Sequence, residues 1–276
     1  MLIFPNCKIN LGLHIVNKRN DGYHNLETVF YPTPLFDAIE IVENFQTTQN
    51  RSHISFTQTG LTIPGDTHEN ICIKAFELIK KEYPLLPPIK MHLHKHIPTG
   101  GGLGGGSADA IAVIQLLQEK FNLHIPQKKL QELALQLGSD CPFFLLNTAA
   151  LATGRGEILN PISVDLNKYA ILFVNPQIQV NTGWAFHKIS IQNSERESIA
   201  KTVLQPIETW KEKLHNDFEA PVFDFYPQIR SIKNHLYDNG ALYASMSGSG
   251  STVYGIFTKK TNTDFNFPAN YFCKWV

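Results

Sequence analysis

The stretch Pro98-Thr99-Gly100-Gly101-Gly102-Leu103-Gly104-Gly105-Gly106-Ser107-Ala108 places six glycines within seven residues. Because glycine has no Cβ, consecutive backbone N–H groups can turn toward a bulky anion and let it approach the main chain closely. A plain flexible turn is disfavoured, since flexible linkers mix glycine with serine over longer runs. This stretch, called the glycine loop below, therefore predicts a phosphate-binding site.

The residues on either side of the glycine loop predict a strand before it and a helix after it. Ile89, Met91 and Leu93 alternate with polar residues, which is the period of a half-buried strand. From Ala108 to Phe121, apolar residues recur every three or four positions, which is the period of a helix. The loop then opens onto a helix N-terminus near Ser107, where unpaired N–H groups and the helix dipole stabilise an anion.

Two other kinds of phosphate loop fit this stretch poorly. The pattern Gly100-x-Gly102-x-x-Gly105 formally matches the dinucleotide-binding fingerprint. That fold, however, requires a parallel strand after the helix, and here a second helix is predicted over Gln127–Leu137, ending at Gly138. A Walker A loop ends in Gly-Lys-Ser/Thr, whereas Gly106 is followed directly by serine. A Rossmann oxidoreductase and a P-loop kinase are therefore both disfavoured.

The composition excludes several other classes of protein. Lys and Arg number 24, as do Asp and Glu, so no basic excess indicates nucleic acid as a partner. The four cysteines are far apart and form no CxxC pair, which favours free thiols in a reducing compartment. No apolar run approaches the ~20 residues of a membrane span, and the first residues lack the layout of a signal peptide. The sequence predicts a soluble, cytoplasmic protein without a membrane partner.

The chain length favours two lobes, because single hydrophobic cores stop growing near ~250 residues. A turn cluster over 153–157 and a change of composition at Pro161 place the boundary between them. We therefore predict an N-terminal domain over 1–158 and a C-terminal domain over 159–276.

The second lobe ends in a predicted pair of strands, Ala241–Met246 and Thr252–Phe257. They are joined by Ser247-Gly248-Ser249-Gly250-Ser251, in which every residue is small. A plain hairpin loop does not require so many small residues, so this segment has either a structural or a functional role.

Two ionisable residues have two open interpretations at this point. Lys8 shares the polar face of a predicted N-terminal strand with Asn10, and it either faces solvent or lies beside the phosphate site. Asp140 is the only ionisable side chain between the helix stop at Gly138 and the apolar run 141–146. It is either an N-cap for the next segment or a carboxylate poised for proton transfer.

The glycine loop resembles the central motif of the GHMP kinases, a family of small-molecule kinases named for galactose, homoserine, mevalonate and phosphomevalonate. Further motifs in matching order extend this resemblance over nearly the whole chain. They are Lys8-Ile9-Asn10-Leu11, Arg19-x-Asp21-Gly22-Tyr23-His24, Gly138-Ser139-Asp140-Cys141-Pro142-Phe143, Gly154-Arg155-Gly156-Glu157 and Ser247-Gly248-Ser249-Gly250. Together they are most similar to the members of the family that act on a cytidine diphosphate-linked methylerythritol.

The resemblance implies a two-lobed α+β fold, with an N-terminal lobe like ribosomal protein S5 domain 2 and a ferredoxin-like C-terminal lobe. It also implies a kinase that uses ATP with Mg²⁺ to phosphorylate the 2-hydroxyl of that substrate, in the non-mevalonate isoprenoid pathway. A GHMP kinase for another small alcohol (mevalonate, homoserine or a sugar) and a catalytically silent nucleotide-binding protein are the alternatives. The expected assembly is a monomer or a homodimer.

The resemblance maps the family's catalytic lysine onto Lys8 and its catalytic aspartate onto Asp140. Asp140 is expected to accept the proton of the substrate hydroxyl, while Lys8 keeps Asp140 ionised and lowers the pKa of the attacking hydroxyl. The ATP-binding positions are the glycine loop, over 98–108, and Asn70, which lies in the first turn of a predicted helix. Ser107, at the end of the loop, could contact a phosphate group or the Mg²⁺ ion.

The positions expected to bind the substrate are Asn10, Tyr23, His24, Thr182 and Phe186. In the family, the histidine hydrogen-bonds the cytosine edge and aromatic rings stack on the base, which argues against other alcohols as substrates. One departure from the family pattern is Ala108-Asp109, which stands where many members carry a Ser-Asn or Ser-Ala pair.

Overall fold

The structure, a computed structural model, describes residues 1–45, 53–189, 196–260 and 265–276. The chain divides into two compact units, each assembled from separate parts of the sequence. Unit 1 comprises Met1–Cys7, Pro34–Thr99 and Gly104–Asn147, and unit 2 comprises Lys8–Thr33, Gly100–Leu103 and Thr148–Val276. The domain boundary near residue 158 stays a prediction.

The helices and strands of the described residues are named in chain order. The strands are β1 (Leu2–Ile3), β2 (Asn6–Lys18), β3 (His24–Phe36), β4 (Ala38–Glu43), β5 (Ile54–Gly60), β6 (Ile89–Lys95), β7 (Ala150–Thr153), β8 (Ile158–Pro161), β9 (Ala170–Asn175), β10 (Tyr243–Met246), β11 (Val253–Phe257) and β12 (Phe272–Trp275). The helices are α1 (Ile71–Glu82), α2 (Gly105–Lys120), α3 (Gln127–Leu137), α4 (Cys141–Leu146), α5 (Thr182–Lys188), α6 (Ile199–Thr202), α7 (Trp210–Lys213), α8 (Glu219–Phe225) and α9 (Pro227–Asp238).

Unit 1 combines a mixed sheet of order β1-β4-β6-β5 with helices α1 to α4. The pairs β1/β4 and β4/β6 are antiparallel, and β5 runs parallel to β6. Helix α2 packs against both α1 and α4. Apart from Gln115 it is buried from Ala108 to Leu117, because its apolar residues spread around the helix rather than along one face. The helix that follows the glycine loop is therefore a central element of the unit.

Unit 2 holds most of the sheet β2-β3-β7-β8 and all of the antiparallel sheet β10-β11-β9-β12. A bridge between Leu13 of β2 and Asn216 joins the segment before α8 to the first of these sheets. Helices α8 and α9 pack on each other, and α9 packs on β10 and β11. Residues of α8, α9 and both sheets share one hydrophobic core. This core fixes β2 and α5, which carry several of the predicted site residues.

The predicted elements near the glycine loop are confirmed, with small shifts at their ends. Strand β6 and helix α3 lie where they are predicted, and Gly138 follows the last residue of α3. Helix α2 begins at Gly105, two residues before the predicted start. The predicted strand pair of the second lobe is β10 and β11, paired antiparallel. Within the described residues, no helix has both the length and the apolar character that a membrane span needs.

Candidate active site

The first half of the glycine loop, Gly100–Leu103, is held by backbone contacts within unit 2. The N–H of Lys8 donates to the carbonyl oxygen of Leu103 at 2.9 Å, and the N–H of Thr252 donates to that of Gly101 at 3.2 Å. Gly102 has φ +78°, and a Cβ there would lie 1.9 Å from the carbonyl oxygen of Ser247. Only glycine fits this position, so the loop is pressed against the segment that joins β10 and β11.

Lys8 and Asn10 are both buried, although the alternation along β2 left open that they face solvent. Lys8 is 3% exposed and Asn10 2% exposed, because both faces of the strand are buried in this part of β2. The Lys8 ammonium donates to Asn10 Oδ1 at 2.7 Å and to the Gly102 carbonyl oxygen at 3.1 Å, and it lies 4.7 Å from the centre of the Phe30 ring. A buried cation in such a set of contacts has one defined position.

Further hydrogen bonds hold Asn10 in place. Asn10 Nδ2 donates to Thr28 Oγ1 at 3.0 Å, and its backbone N–H donates to Ser247 Oγ at 3.3 Å. The Tyr254 hydroxyl donates to the backbone oxygen of Asn10 at 2.7 Å, and Ser247 Oγ donates to that of Gly102 at 2.8 Å. Asn10, Ser247 and Gly102 thus form one network that also orients the Lys8 ammonium.

The second half of the loop forms the start of α2 in unit 1. Gly104 occupies the N-cap position and makes no side-chain capping hydrogen bond to the first turn. Ser107, in that turn, is partly exposed and shares a hydrogen bond with the thiol of Cys141. Burial raises the pKa of that thiol to about 12, so Cys141 stays protonated at neutral pH. The uncapped N–H groups of the first turn match what an anion at a helix N-terminus requires.

Asp140 lies at the N-cap position of α4 but does not act as a capping side chain. It has helical backbone angles, φ −83° and ψ −17°, and its carboxylate makes no capping hydrogen bond to the helix. The residue is partly buried in unit 1. The capping interpretation left open by the sequence is therefore wrong, and the catalytic role stays a prediction.

Asn70, predicted in the first turn of a helix, is instead its N-cap. Its side-chain Oδ1 accepts a hydrogen bond from the N–H of Cys72 at 2.9 Å, and α1 begins at Ile71. The polar side chain is therefore engaged in starting the helix. Its place near an adenine base stays a prediction.

Two of the residues predicted to bind cytosine, His24 and Phe186, are in contact in unit 2. The rings of His24 and Phe186 stack with their centres 4.8 Å apart and their planes 11° apart. Phe186 also meets the edge of Phe218, at 4.9 Å between ring centres. Tyr23 is about half exposed, and the Arg155 guanidinium lies 4.7 Å from the centre of its ring. The structure thus brings together His24 and Phe186, which are far apart in the sequence.

His24 is expected to be neutral at physiological pH. Partial burial lowers the pKa of its imidazole below the ordinary value, and the nearby positive charges of Lys18 and His187 lower it further. A neutral imidazole offers one donor and one acceptor in the plane of its ring. Such a ring can pair with the edge of a nucleobase while one of its faces is covered by Phe186.

Thr182 lies at the start of α5, directly after the N-cap Asn181. Its hydroxyl and that of Ser249 are 2.8 Å apart, within hydrogen-bonding distance. Thr182 therefore contacts the loop between β10 and β11. Ser247, in the same loop, contacts Asn10 and Gly102. This contact connects the N-terminus of α5 to the loop that supports the Lys8 network.

Sequence reasoning assigned no role to three residues that the structure places in these groups. Thr28 bonds Asn10, Ser247 bonds both Asn10 and Gly102, and Arg155 covers Tyr23. The small-residue loop and the Gly154-Arg155-Gly156-Glu157 motif were the signals for two of them. No pattern in β3 distinguishes Thr28 from an ordinary strand threonine.

Two family models match this chain. Residues 70–148 match the GHMP kinases N terminal domain, and residues 197–264 match the model described as GHMP kinases C terminal. The matched ranges together cover more than half of the chain. The protein is thus one of the GHMP kinases, which are small-molecule kinases, and it has their two-domain α+β fold.

Individual relatives narrow this assignment. The chain is 48% identical over 270 residues to the 4-diphosphocytidyl-2-C-methyl-D-erythritol kinase of Bacteroides fragilis strain YCH46, covering 96% of each chain. It is 46% identical over 274 residues to the kinase of the same name from Azobacteroides pseudotrichonymphae, covering 99% of this chain and 100% of the relative. A crystal structure of 4-(cytidine 5'-diphospho)-2C-methyl-D-erythritol kinase matches with TM-score 0.76 and 28% identity, over 93% of this chain and 90% of that one. Within the GHMP kinases, the chain belongs to the family of these enzymes.

Proposed function

We propose that this kinase transfers the γ-phosphoryl group of ATP to the 2-hydroxyl of 4-diphosphocytidyl-2-C-methyl-D-erythritol, a step of the non-mevalonate isoprenoid pathway. The observation that carries the proposal is the stack of His24 on Phe186, which suits a pyrimidine base. It is supported by the name of relatives that match over nearly the whole chain.

The base-binding part follows from the chemistry of the His24 and Phe186 rings. Cytosine presents an amino donor and ring acceptors on one edge, and neutral His24 can pair with them through one donor and one acceptor. The centres of His24 and Phe186 are 4.8 Å apart, whereas a base inserted between two rings needs about 7 Å, twice a stacking contact of ~3.5 Å. The base therefore either stacks on an outer ring face or separates the pair.

The phosphate-binding part is the glycine loop over 98–108. Backbone N–H groups at its turns and at the start of α2 would hold the triphosphate, and Asn70 would lie near the adenine. Mg²⁺ would accompany the nucleotide and neutralise charge on its phosphates, with Ser107 as a further contact. Within the described residues, no group of three or more His, Cys, Asp or Glu side chains could hold a metal ion.

In the chemical step, Asp140 would accept the proton of the attacking hydroxyl. Lys8, fixed by Asn10 and the Gly102 carbonyl, would stabilise the negative charge on the attacking oxygen. The two residues belong to different units, and their role as a pair is proposed from the sequence resemblance. Asn10 and Thr182 would contact the methylerythritol part of the substrate.

Replacing the proposed base tests the catalytic assignment. The variant Asp140→Asn keeps the size of the side chain but cannot take a proton. We expect its turnover to fall by about 10²–10⁴-fold, the usual range for a general base. ATP binding, measured by calorimetry, should persist, and retained turnover would contradict the role of Asp140.

A panel of acceptors tests the substrate assignment. ATP-coupled turnover is measured with 4-diphosphocytidyl-2-C-methyl-D-erythritol, mevalonate, homoserine and galactose. We expect activity with the cytidine compound and none with the other three. Activity only with one of those three would make the protein a GHMP kinase for another alcohol. ATP binding without turnover on any acceptor would instead favour a silent nucleotide-binding protein.

The proposed cellular setting is the cytoplasm, with the protein as a monomer or a homodimer. The four cysteines all lie in the described part of the chain and form no disulfide bond there, and Cys7, Cys72 and Cys141 are buried, which suits a reducing compartment. Size-exclusion chromatography with light scattering distinguishes the two assemblies.

A further inference from the structure

A buried ion triad lies at the base of the glycine loop in unit 1. Lys95 Nζ is 2.5 Å from Asp37 Oδ2 and 2.6 Å from Asp109 Oδ2, and all three side chains are at most 2% exposed. One lysine is thus clamped between two carboxylates in the interior of the unit. The reaction proposed above uses none of these three residues.

Each member of the triad belongs to a segment that leads into or out of the loop. Lys95 ends β6, two residues before Ile97, where the chain enters the loop. Asp37 Oδ1 accepts hydrogen bonds from the backbone N–H groups of His96 at 2.6 Å and Ile97 at 2.8 Å. Asp109 is the fifth residue of α2, the helix on which the chain leaves the loop. The triad therefore ties the entering strand to the departing helix.

The two ends of the loop also touch at this point. A Cβ on Gly105, the first residue of α2, would lie 2.8 Å from Ile97 Cγ2 and 3.1 Å from Lys95 Nζ. The helix start is thus packed directly against the entering chain and the lysine ammonium. A change in the Lys95 contacts would move this helix start relative to Ile97.

The composition of the triad is poorly suited to stability alone. Two carboxylates face a single ammonium, and Asp109 Oδ1 is buried without a hydrogen-bond partner among the described residues. Burying ions is costly, and replacing them by apolar groups is often neutral or stabilising, whereas their directional contacts fix a geometry. This favours a positional role.

We propose that Asp37, Lys95 and Asp109 position the two ends of the glycine loop for the triphosphate of the nucleotide. They are positioning residues, because they act through the backbone of the loop. Lys95 sets the distance between β6 and α2, and Asp37 orients the N–H groups of the entering chain. The inference rests on the proposed use of ATP at the glycine loop.

The variant Asp109→Ala tests this role, since it releases α2 and leaves one carboxylate for one ammonium. We expect the KM for ATP to rise by roughly tenfold, the scale of a lost hydrogen bond to a charged group. The KM for the alcohol substrate should stay within about twofold. In Asp109→Asn, the amide oxygen still accepts from Lys95, so the KM for ATP should return to within about threefold of the parent value.

The matched control is Lys129→Met, which breaks the exposed pair of Lys129 and Glu82, 2.8 Å apart in the same unit. It should leave both KM values unchanged, because an exposed ion pair contributes little energy and so does little to fix the positions of the elements that it joins. A folded Asp109→Ala protein whose KM for ATP stays within twofold of the parent would overturn the proposal. An equal rise of both KM values would overturn it too.

Two further measurements separate the possible failures. If Asp109→Ala does not fold, Asp109→Ser takes its place, with the same expected rise in the KM for ATP. Failure of both to fold would overturn the proposal, since the triad would then be a requirement of the fold rather than of ATP binding. If the parent protein itself does not use ATP, the proposed function fails; if it does and Asp109→Ala binds ATP equally well, only the triad proposal fails.

Discussion

Two regions of unit 2, the proposed phosphate-binding surroundings of Lys8 and the proposed base-binding surroundings of His24, are built in different ways. Around Lys8, the side chains are buried and joined by hydrogen bonds, and Gly102 leaves no room for a single added carbon beside Ser247. Around Tyr23 and His24, the contacts are aromatic stacking and a cation over an exposed ring. Under the proposed function, the first arrangement would fix the atoms needed for phosphoryl transfer, while the second would adapt to a particular substrate.

This comparison predicts that the largest effects come from changes at the glycine loop. In Gly102→Ala, the alanine must adopt the disfavoured φ of +78°, and its Cβ collides with the carbonyl oxygen of Ser247. The two penalties should destabilise the protein by about 2–5 kcal/mol and abolish activity. Thermal unfolding and turnover measure the two effects.

The control for this change is Gly100→Ala, which has a similar φ of +68° but open space around the added Cβ. It should cost only the backbone strain, about 1–2 kcal/mol. Equal losses of stability in the two variants would show that the contact with Ser247 does not constrain the loop.

The next largest effect is expected at Lys8. In Lys8→Met, the chain length is kept but the charge that would stabilise the attacking oxygen is lost. We expect kcat to fall by roughly 10²–10³-fold, as for removal of one electrostatic donor, with a much smaller change in the KM for the cytidine substrate. Lys18→Met, at the exposed end of the same strand, should leave kcat unchanged. A KM effect without a kcat effect in Lys8→Met would argue against a catalytic role.

At the base end, the effects should appear in substrate binding. In Phe186→Ala, the loss of one stacking ring should raise the KM for the cytidine substrate by about 10–100-fold, since base stacking contributes ~1–3 kcal/mol. The KM for ATP and the kcat at saturation should change little. Phe45→Ala, an exposed ring in unit 1, is the control. If the KM for ATP rises equally, Phe186 supports the fold rather than the base.

The smallest effect is a pH dependence at His24. Because its pKa is lowered, the imidazole stays neutral through the physiological range and gains a proton only as the pH falls below the ordinary histidine range. Protonation removes the ring acceptor, so the KM for the cytidine substrate should rise at low pH. His24→Gln keeps a donor and an acceptor without titrating and should flatten this rise. If the pH profile of that variant equals that of the parent protein, His24 does not contact the base.

The local elements could be predicted from the sequence because they depend on local patterns. The apolar alternation before the glycine loop, the helical period after it and the glycine at the end of α3 each mark one element. Their boundaries are less well predicted, since the two extra residues at the start of α2, Gly105 and Gly106, depend on how closely Gly105 lies to Ile97.

The contacts that build the site could not be predicted in the same way. The burial of Lys8 and Asn10 depends on Thr28, Ser247 and Tyr254, which approach β2 only in the folded unit. The stack of His24 on Phe186 joins residues more than 150 positions apart, and neither has a pattern that indicates the other. The sequence also could not predict that the Asp140 side chain does not cap α4, because this depends on backbone angles that the neighbouring residues do not determine.

The measurement that tests the central claim most directly is the phosphorus NMR spectrum of the product formed from ATP and 4-diphosphocytidyl-2-C-methyl-D-erythritol. The 2-carbon carries a methyl group and no hydrogen, so a phosphate on its oxygen has no three-bond coupling to a carbinol proton. We expect a new monophosphate signal without that coupling, absent when Asp140→Asn replaces the parent protein. A new signal split by carbinol protons, or no new signal from the active parent protein, would contradict the account.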